Sequence, residues 1–142
     1  MSIHIANQDE ISTVYDIRKN VFVQEQHVPI EVELDEFDKD SIHFICYHHK
    51  KAVGASRLRF VDDYGKLERI CVLKAYRGKS LGRQLIQQME SEIIHQGYTK
   101  SKLNAQTHAI SFYEALGYEV VSDEFMDAGI PHVTMIKSVT TQ

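Results

Sequence analysis

The stretch Ala75-Tyr76-Arg77-Gly78-Lys79-Ser80-Leu81-Gly82-Arg83 gathers the residue types best suited to holding an anion. Gly78 and Gly82 permit a tight turn, and a helix starting there would point its unpaired amides outward. Arg77, Lys79 and Arg83 add positive charge where a phosphate would lie. The same residues also fit an ordinary strand-to-helix turn with a basic surface. Spacing excludes two familiar phosphate loops. Gly78-Lys79-Ser80 mimics the end of a nucleoside-triphosphate loop, but the glycine needed five positions earlier is Leu73. A dinucleotide fingerprint begun at Gly78 needs glycines where Ser80 and Arg83 stand.

Other reactive side chains offer less. The chain has eight histidines, but His48-His49 falls in a polar turn, and His43, His108 and His132 show no metal-ligand spacing, so no metal is expected. Residues 31–40 carry six carboxylates without the glycine-bearing calcium pattern, and are expected to form a solvated loop. Cys46 and Cys71 sit in apolar runs with no histidine partner, which suits buried, inert thiols in a reducing cytoplasm.

The elements that must position this loop follow from periodicity. Asn7 with Glu10 forms a capping-box variant ahead of Ile11, Val14, Ile17, Val21 and Phe22 at helical spacing. Residues 42–47 and 52–60 make a hairpin about the turn His48-His49-Lys50-Lys51, and residues 67–73 a third strand. Leu81, Leu85, Ile86, Met89, Ile93 and Ile94 mark a long helix closed by Gly97. A short strand at residues 101–105, a short helix through Ile110, Tyr113 and Leu116 closed by Gly117, and strands at 118–121 and 132–137 complete an α+β, mixed α/β pattern. At 142 residues, 43% apolar and 25% charged, one globular domain over 1–142 is expected, with no membrane-length apolar run and no secretion signal. A net charge of −4 argues against a nucleic-acid partner.

Three blocks resemble the GNAT superfamily of N-acetyltransferases. Arg77-Gly78-Lys79-Ser80-Leu81-Gly82 is similar to its R/Q-x-x-G-x-G/A loop, with Ser80 in place of the middle glycine. Leu103-Asn104-Ala105-Gln106 with Ser111-Phe112-Tyr113-Glu114-Ala115-Leu116-Gly117-Tyr118 resembles a second block. Val21-Phe22-Val23-Gln24-Glu25-Gln26-His27-Val28-Pro29 and Gly129-Ile130-Pro131-His132 resemble a subgroup of small bacterial acetyltransferases.

The resemblance implies a mostly antiparallel sheet, splayed at its centre and flanked by helices, that binds acetyl-coenzyme A and acetylates an amine by direct transfer in a ternary complex. It implies cofactor contacts from the strand residues Ile70, Cys71 and Val72, from Arg77, Gly78, Lys79, Ser80, Leu81, Gly82 and Arg83 in the loop, and from Asn104. A backbone N–H of Val72 or its neighbour would polarise the thioester carbonyl. Tyr113 is implied as the acid that protonates the departing thiolate, with core packing as its plainer role. Glu68 is implied as the base acting through water. It fits equally a strand residue paired with Arg57 or Arg69, and Tyr64 or the acidic segment could serve in its place. Ser80 is expected to sit without positive φ and to use its hydroxyl on a phosphate oxygen or as a helix cap. A non-catalytic acyl-coenzyme A sensor fits the same loop. The acceptor amine is left open, and a homodimer is common in the family.

Overall fold

The computed structural model describes residues 2–140; Met1, Thr141 and Gln142 of the expected 1–142 domain lie outside the described residues. Eight strands form one sheet: β1 (Ser2–Ile5), β2 (Ile42–His48), β3 (Lys51–Val61), β4 (Tyr64–Val72), β5 (Lys100–Gln106), β6 (Glu119–Val120), β7 (Phe125–Asp127) and β8 (Ile130–Ser138). Their order is β1-β2-β3-β4-β5-β8-β6, with β7 also on β8. Only β4 and β5 run parallel; the other pairs are antiparallel.

Side chains alternate between the two faces of the sheet, and each face has its own helices. Ile45, Ala55 and Cys71 face α1 (Ile11–Arg18) through Val14 and Ile17, with Val21 just beyond. Phe44, Cys46, Val53, Leu67, Val72, Leu103 and Met135 face α3 (Leu81–His95) through Leu85, Ile86, Met89 and Ile93. Those four helix residues are almost wholly buried. Each contributes about 1.5–3 kcal/mol by leaving water. Gly65 lets α3 lie close on β4: a Cβ there would penetrate Ile93.

Helix punctuation follows the sequence. The Asn7–Glu10 capping box is formed in full at the short 3-10 turn that leads into α1. Gly97 ends α3 at φ 87°, its amide donating to the Ile94 carbonyl while that of Tyr98 reaches Ile93. Gly117 closes α4 (Ile110–Ala115) at φ 100°.

Three features depart from the expectation. α1 continues as a π-helix over Lys19–Glu25, and β1 and β7 are additional strands. The acidic segment is not a solvated loop. It holds α2 (Ile30–Glu33) and a 3-10 turn (Asp38–Asp40), with Glu33 and Asp38 buried. The cause is Arg18, itself fully buried, which donates to both carboxylates and to the Glu33 carbonyl. Arg57, equally buried, bridges Asp35, Asp38 and Glu68. Carboxylates taken from water need such partners, so the segment is pinned across one end of the sheet.

Candidate active site

β4 and β5 pair only at Gly65↔Ser101, Lys66↔Lys102 and Leu67↔Leu103. Beyond Leu67 they separate, so residues 68–72 of β4 have no strand partner on the β5 side. A bulge sharpens the divergence. Ala55 pairs with Cys71 and Arg57 with Glu68, leaving the single residue Ser56 opposite both Arg69 and Ile70. Arg69 takes φ 54°, a left-handed conformation uncommon for a side-chain-bearing residue and of the kind that collects at functional sites.

The separation opens a cleft of about 320 Å³ that passes through the sheet. On the α1 side it is walled by Phe22, Gln26 and Glu33; on the α4 side it reaches Ala109 and Tyr113. Glu68, Ile70, Asn104, Gln106 and His132 line the passage.

Glu68 accepts from Arg57 and Arg59 and pairs with Lys66. Burial alone would raise its carboxyl, but the Arg59 hydrogen bonds and the Arg57 and Lys66 charges outweigh it and hold the group at about 2. An acid that strong accepts a proton poorly at neutral pH, and the geometry gives Glu68 a fixed negative charge. Its pairing with Arg57 is one alternative read from the sequence; Arg69 pairs instead with Glu33 and Asp35.

Tyr113 edges against Phe112 and Tyr118, and burial pushes its phenol up to about 12. It therefore stays protonated across the neutral range. Asn104 Oδ1 accepts from Thr134 Oγ1 at 2.9 Å, which fixes the amide beside the cleft. Ile70 lines the cleft, whereas Val72 packs into the α3 core and Cys71 into the α1 core. Burial raises the Cys71 thiol to about 12, and it makes no nucleophile.

The basic loop stands at the far end of the free β4 edge. Arg77, Gly78, Lys79 and Ser80 are exposed, Gly78 at φ 83°. Leu81 is buried under the start of α3; Gly82 follows partly covered and Arg83 exposed. Arg77 does not point free into solvent. Its Nη atoms grip Glu25 at 2.6 and 2.7 Å, and Nε donates to the Val72 carbonyl, joining the loop to the π-helix.

Ser80 corrects the expectation. It adopts φ 63°, ψ 19°, and its side chain makes no cap bond. Serine here occupies left-handed backbone that glycine would adopt freely, and its hydroxyl leaves the first helical amides uncapped. Sequence reasoning weighed His132 only as a metal ligand, and it passed over the Gln26–Gln106 hydrogen bond that ties the end of the π-helix to β5. The visible signal for His132 was its place in the Gly129-Ile130-Pro131-His132 block. Among the described residues no cluster of three or more metal-type side chains is present. No helix there is long and apolar enough to cross a membrane.

A family model described as an acetyltransferase (GNAT) domain matches residues 6–139. The chain belongs to the GNAT acetyltransferase family. Membership implies acetyl transfer from acetyl-coenzyme A. Among relatives, the uncharacterized N-acetyltransferase YjcF of Bacillus subtilis is 46% identical over 132 residues, covering 92% of this chain and 94% of its own. An acyl-CoA N-acyltransferase of Pseudomonas aeruginosa shares the fold at 24% identity, with a TM-score of 0.84 over 96% of this chain and 98% of its own. A GNAT family acetyltransferase of Elizabethkingia anophelis, solved with acetyl-CoA bound, shares it at 13% identity, with a TM-score of 0.75 over 96% and 97%. The GNAT fold accounts for the parted strands: the cleft is where the sheet opens.

Proposed function

We propose that the protein acetylates a primary amine by direct transfer from acetyl-coenzyme A, with donor and acceptor held together. The observation that carries this reading is the cleft through the sheet, with a protonated phenol on its α4 side and the ionised Glu68 in its lining. The Elizabethkingia relative with bound acetyl-CoA supports the choice of donor.

The residues fit that donor. The free edge of β4 offers backbone groups to an extended amide-bearing arm, and the N-terminus of α3, flanked by the exposed Lys79 and Arg83, suits a pyrophosphate. Ser80 presents an uncommitted hydroxyl there. A backbone N–H on the open edge polarises the acyl carbonyl. Tyr113 gives its proton to the leaving sulfur.

Incubation with acetyl-coenzyme A and a panel of amino acids, polyamines, amino sugars and lysine peptides, read by mass spectrometry, tests the proposal. The expected result is one acceptor gaining an acetyl group with equal release of coenzyme A. Binding of coenzyme A without turnover on the whole panel would overturn it in favour of an acyl-coenzyme A sensor.

A further inference from the structure

Resting on the transferase reading, we propose that His132 is the catalytic base that removes the proton from the attacking amine. His132 lies on β8 opposite Gln106 of β5, and its ring lines the cleft while the residue is only 8% exposed. Its Nδ1 stands 2.7 Å from the Ile130 carbonyl oxygen. A carbonyl can only accept, so Nδ1 carries the hydrogen, and in the neutral ring Nε2 keeps its lone pair. Nε2 has no protein partner among the described residues, yet it is not sealed from solvent. Phe125 stacks on the ring at 6.1 Å and 24°, fixing its plane. The result is a pre-oriented proton acceptor in the wall of the cleft.

The carboxylates deeper in the cleft are committed elsewhere. Glu68 is held by Arg57, Arg59 and Lys66, and Glu33 by Arg18 and Arg69. To take a proton, either would have to weaken a buried ion pair. Two other titratable groups line the rim: Asp127 from β7, which is exposed, and His108, which is exposed and bonded through Nε2 to Gln106. Lys66 and Arg69 of β4 and Tyr113 of α4 complete the charged and titratable lining of the cleft.

The step balances. Nε2 of His132 takes one proton from the bound ammonium, which frees the nitrogen lone pair, and passes it to solvent; the nitrogen then bonds to the acyl carbon and gives its second proton to the vacated Nε2. The carbon–sulfur bond breaks, and sulfur takes the Tyr113 proton. The imidazolium then loses its proton to solvent, and Tyr113 regains one from it.

The test compares pH profiles of kcat/KM for the wild type and His132→Gln, using the best acceptor from the amine panel, with coenzyme A affinity measured by calorimetry. Loss of the base should lower kcat about 10²–10⁴-fold at neutral pH. The rise of kcat/KM should move to higher pH, where the amine is already neutral, with coenzyme A affinity unchanged. A purely structural role would not shift the profile. As a readout free of turnover, ¹⁵N NMR of histidine-labelled wild type should show His132 protonated at Nδ1 and bare at Nε2; the opposite tautomer would overturn the proposal. A wild-type rate and profile in His132→Gln would also overturn it while leaving the transferase reading intact. A wild type that turns over nothing on the panel would remove both.

Discussion

Ser80→Gly tests how the pyrophosphate turn is built. At φ 63° and ψ 19°, Ser80 occupies left-handed backbone that costs a side-chain-bearing residue roughly 1–2 kcal/mol relative to glycine. Glycine gives back about 0.4–1 kcal/mol through its freer unfolded chain. No internal hydrogen bond is lost, because the serine side chain caps nothing. The balance is a stabilisation of about 0.5–1 kcal/mol, or roughly 1–4 °C in Tm for a domain of this length. Ser80→Ala keeps the strain and removes only a solvent-facing hydroxyl, so its Tm should stay within about 1–2 °C of wild type. Thermal unfolding of the three proteins, alone and with coenzyme A, reads both effects. Calorimetry should place the glycine variant within about tenfold of the wild-type affinity, a 1.4 kcal/mol band. A glycine variant that melts below wild type would refute the strain argument. An alanine variant that loses most of its coenzyme A affinity would show that the hydroxyl, not the backbone, makes the site.

Three further outcomes follow from the same geometry. Tyr113→Phe keeps the ring packing against Phe112 and Tyr118 but lacks the proton; kcat should fall by roughly 10²-fold with coenzyme A affinity unchanged, and an unaltered kcat would remove the acid role. Arg77→Ala should weaken coenzyme A by less than about tenfold, because three of its donors already serve Glu25 and the Val72 carbonyl; a loss beyond about a hundredfold in calorimetry would place the guanidinium on the pyrophosphate. Glu68 and Asp38 are both held at about 2 against burial, by Arg59, Arg57 and Lys66 for the first and by Arg18, the Asp35 amide and Arg57 for the second. Their folded values lie below the unfolded ones, so their stabilisation is present above about pH 4 and is lost as pH falls towards 2. Urea unfolding should show a loss on the order of 2 kcal/mol per group across that window, and a flat acid limb would contradict the network.

What the sequence made legible were features with a period or a fixed chemical signature. The α3 stripe, the Asn7–Glu10 box and the glycines at 97 and 117 each reflect a local rule that the tertiary structure left in force. The strands β1 and β7, at four and three residues, are too short for alternation to show, and β1 is mostly exposed. The π-helix leaves no mark because its seven residues are too few to display a period of their own. Arg18 was the concealed clue to the buried ion network: it follows Val14 by four residues and precedes Val21 by three, on the helix face that must be covered. A charge at that position foretells buried carboxylates somewhere, but only the fold brings Glu33 and Asp38 to it. The loop was recognisable from its residue types, whereas the backbone conformation of Ser80 and the Glu25 partner of Arg77 depend on chain distant in sequence.

Along the cleft, the polar side chains of β4 and β5 bond to partners other than each other. Glu68 is drawn back along its own half of the sheet by Arg57 and Arg59 of β3. Arg69, turned by the bulge, reaches over to Glu33 and the carbonyl of Val32 on α2. Across the gap, Asn104 is bound sideways to Thr134 of β8, and Gln106 to Gln26 just after the π-helix. Apolar pairing ends at Leu67 and Leu103, so beyond them no side-chain burial draws β4 and β5 together. The Arg57–Glu68 pair is buried on the β3 side of β4, and breaking such a pair costs on the order of 3–5 kcal/mol, so Glu68 stays committed to β3. The charged side chains of β4 are thus committed to partners other than β5, and its backbone edge stays free for a ligand.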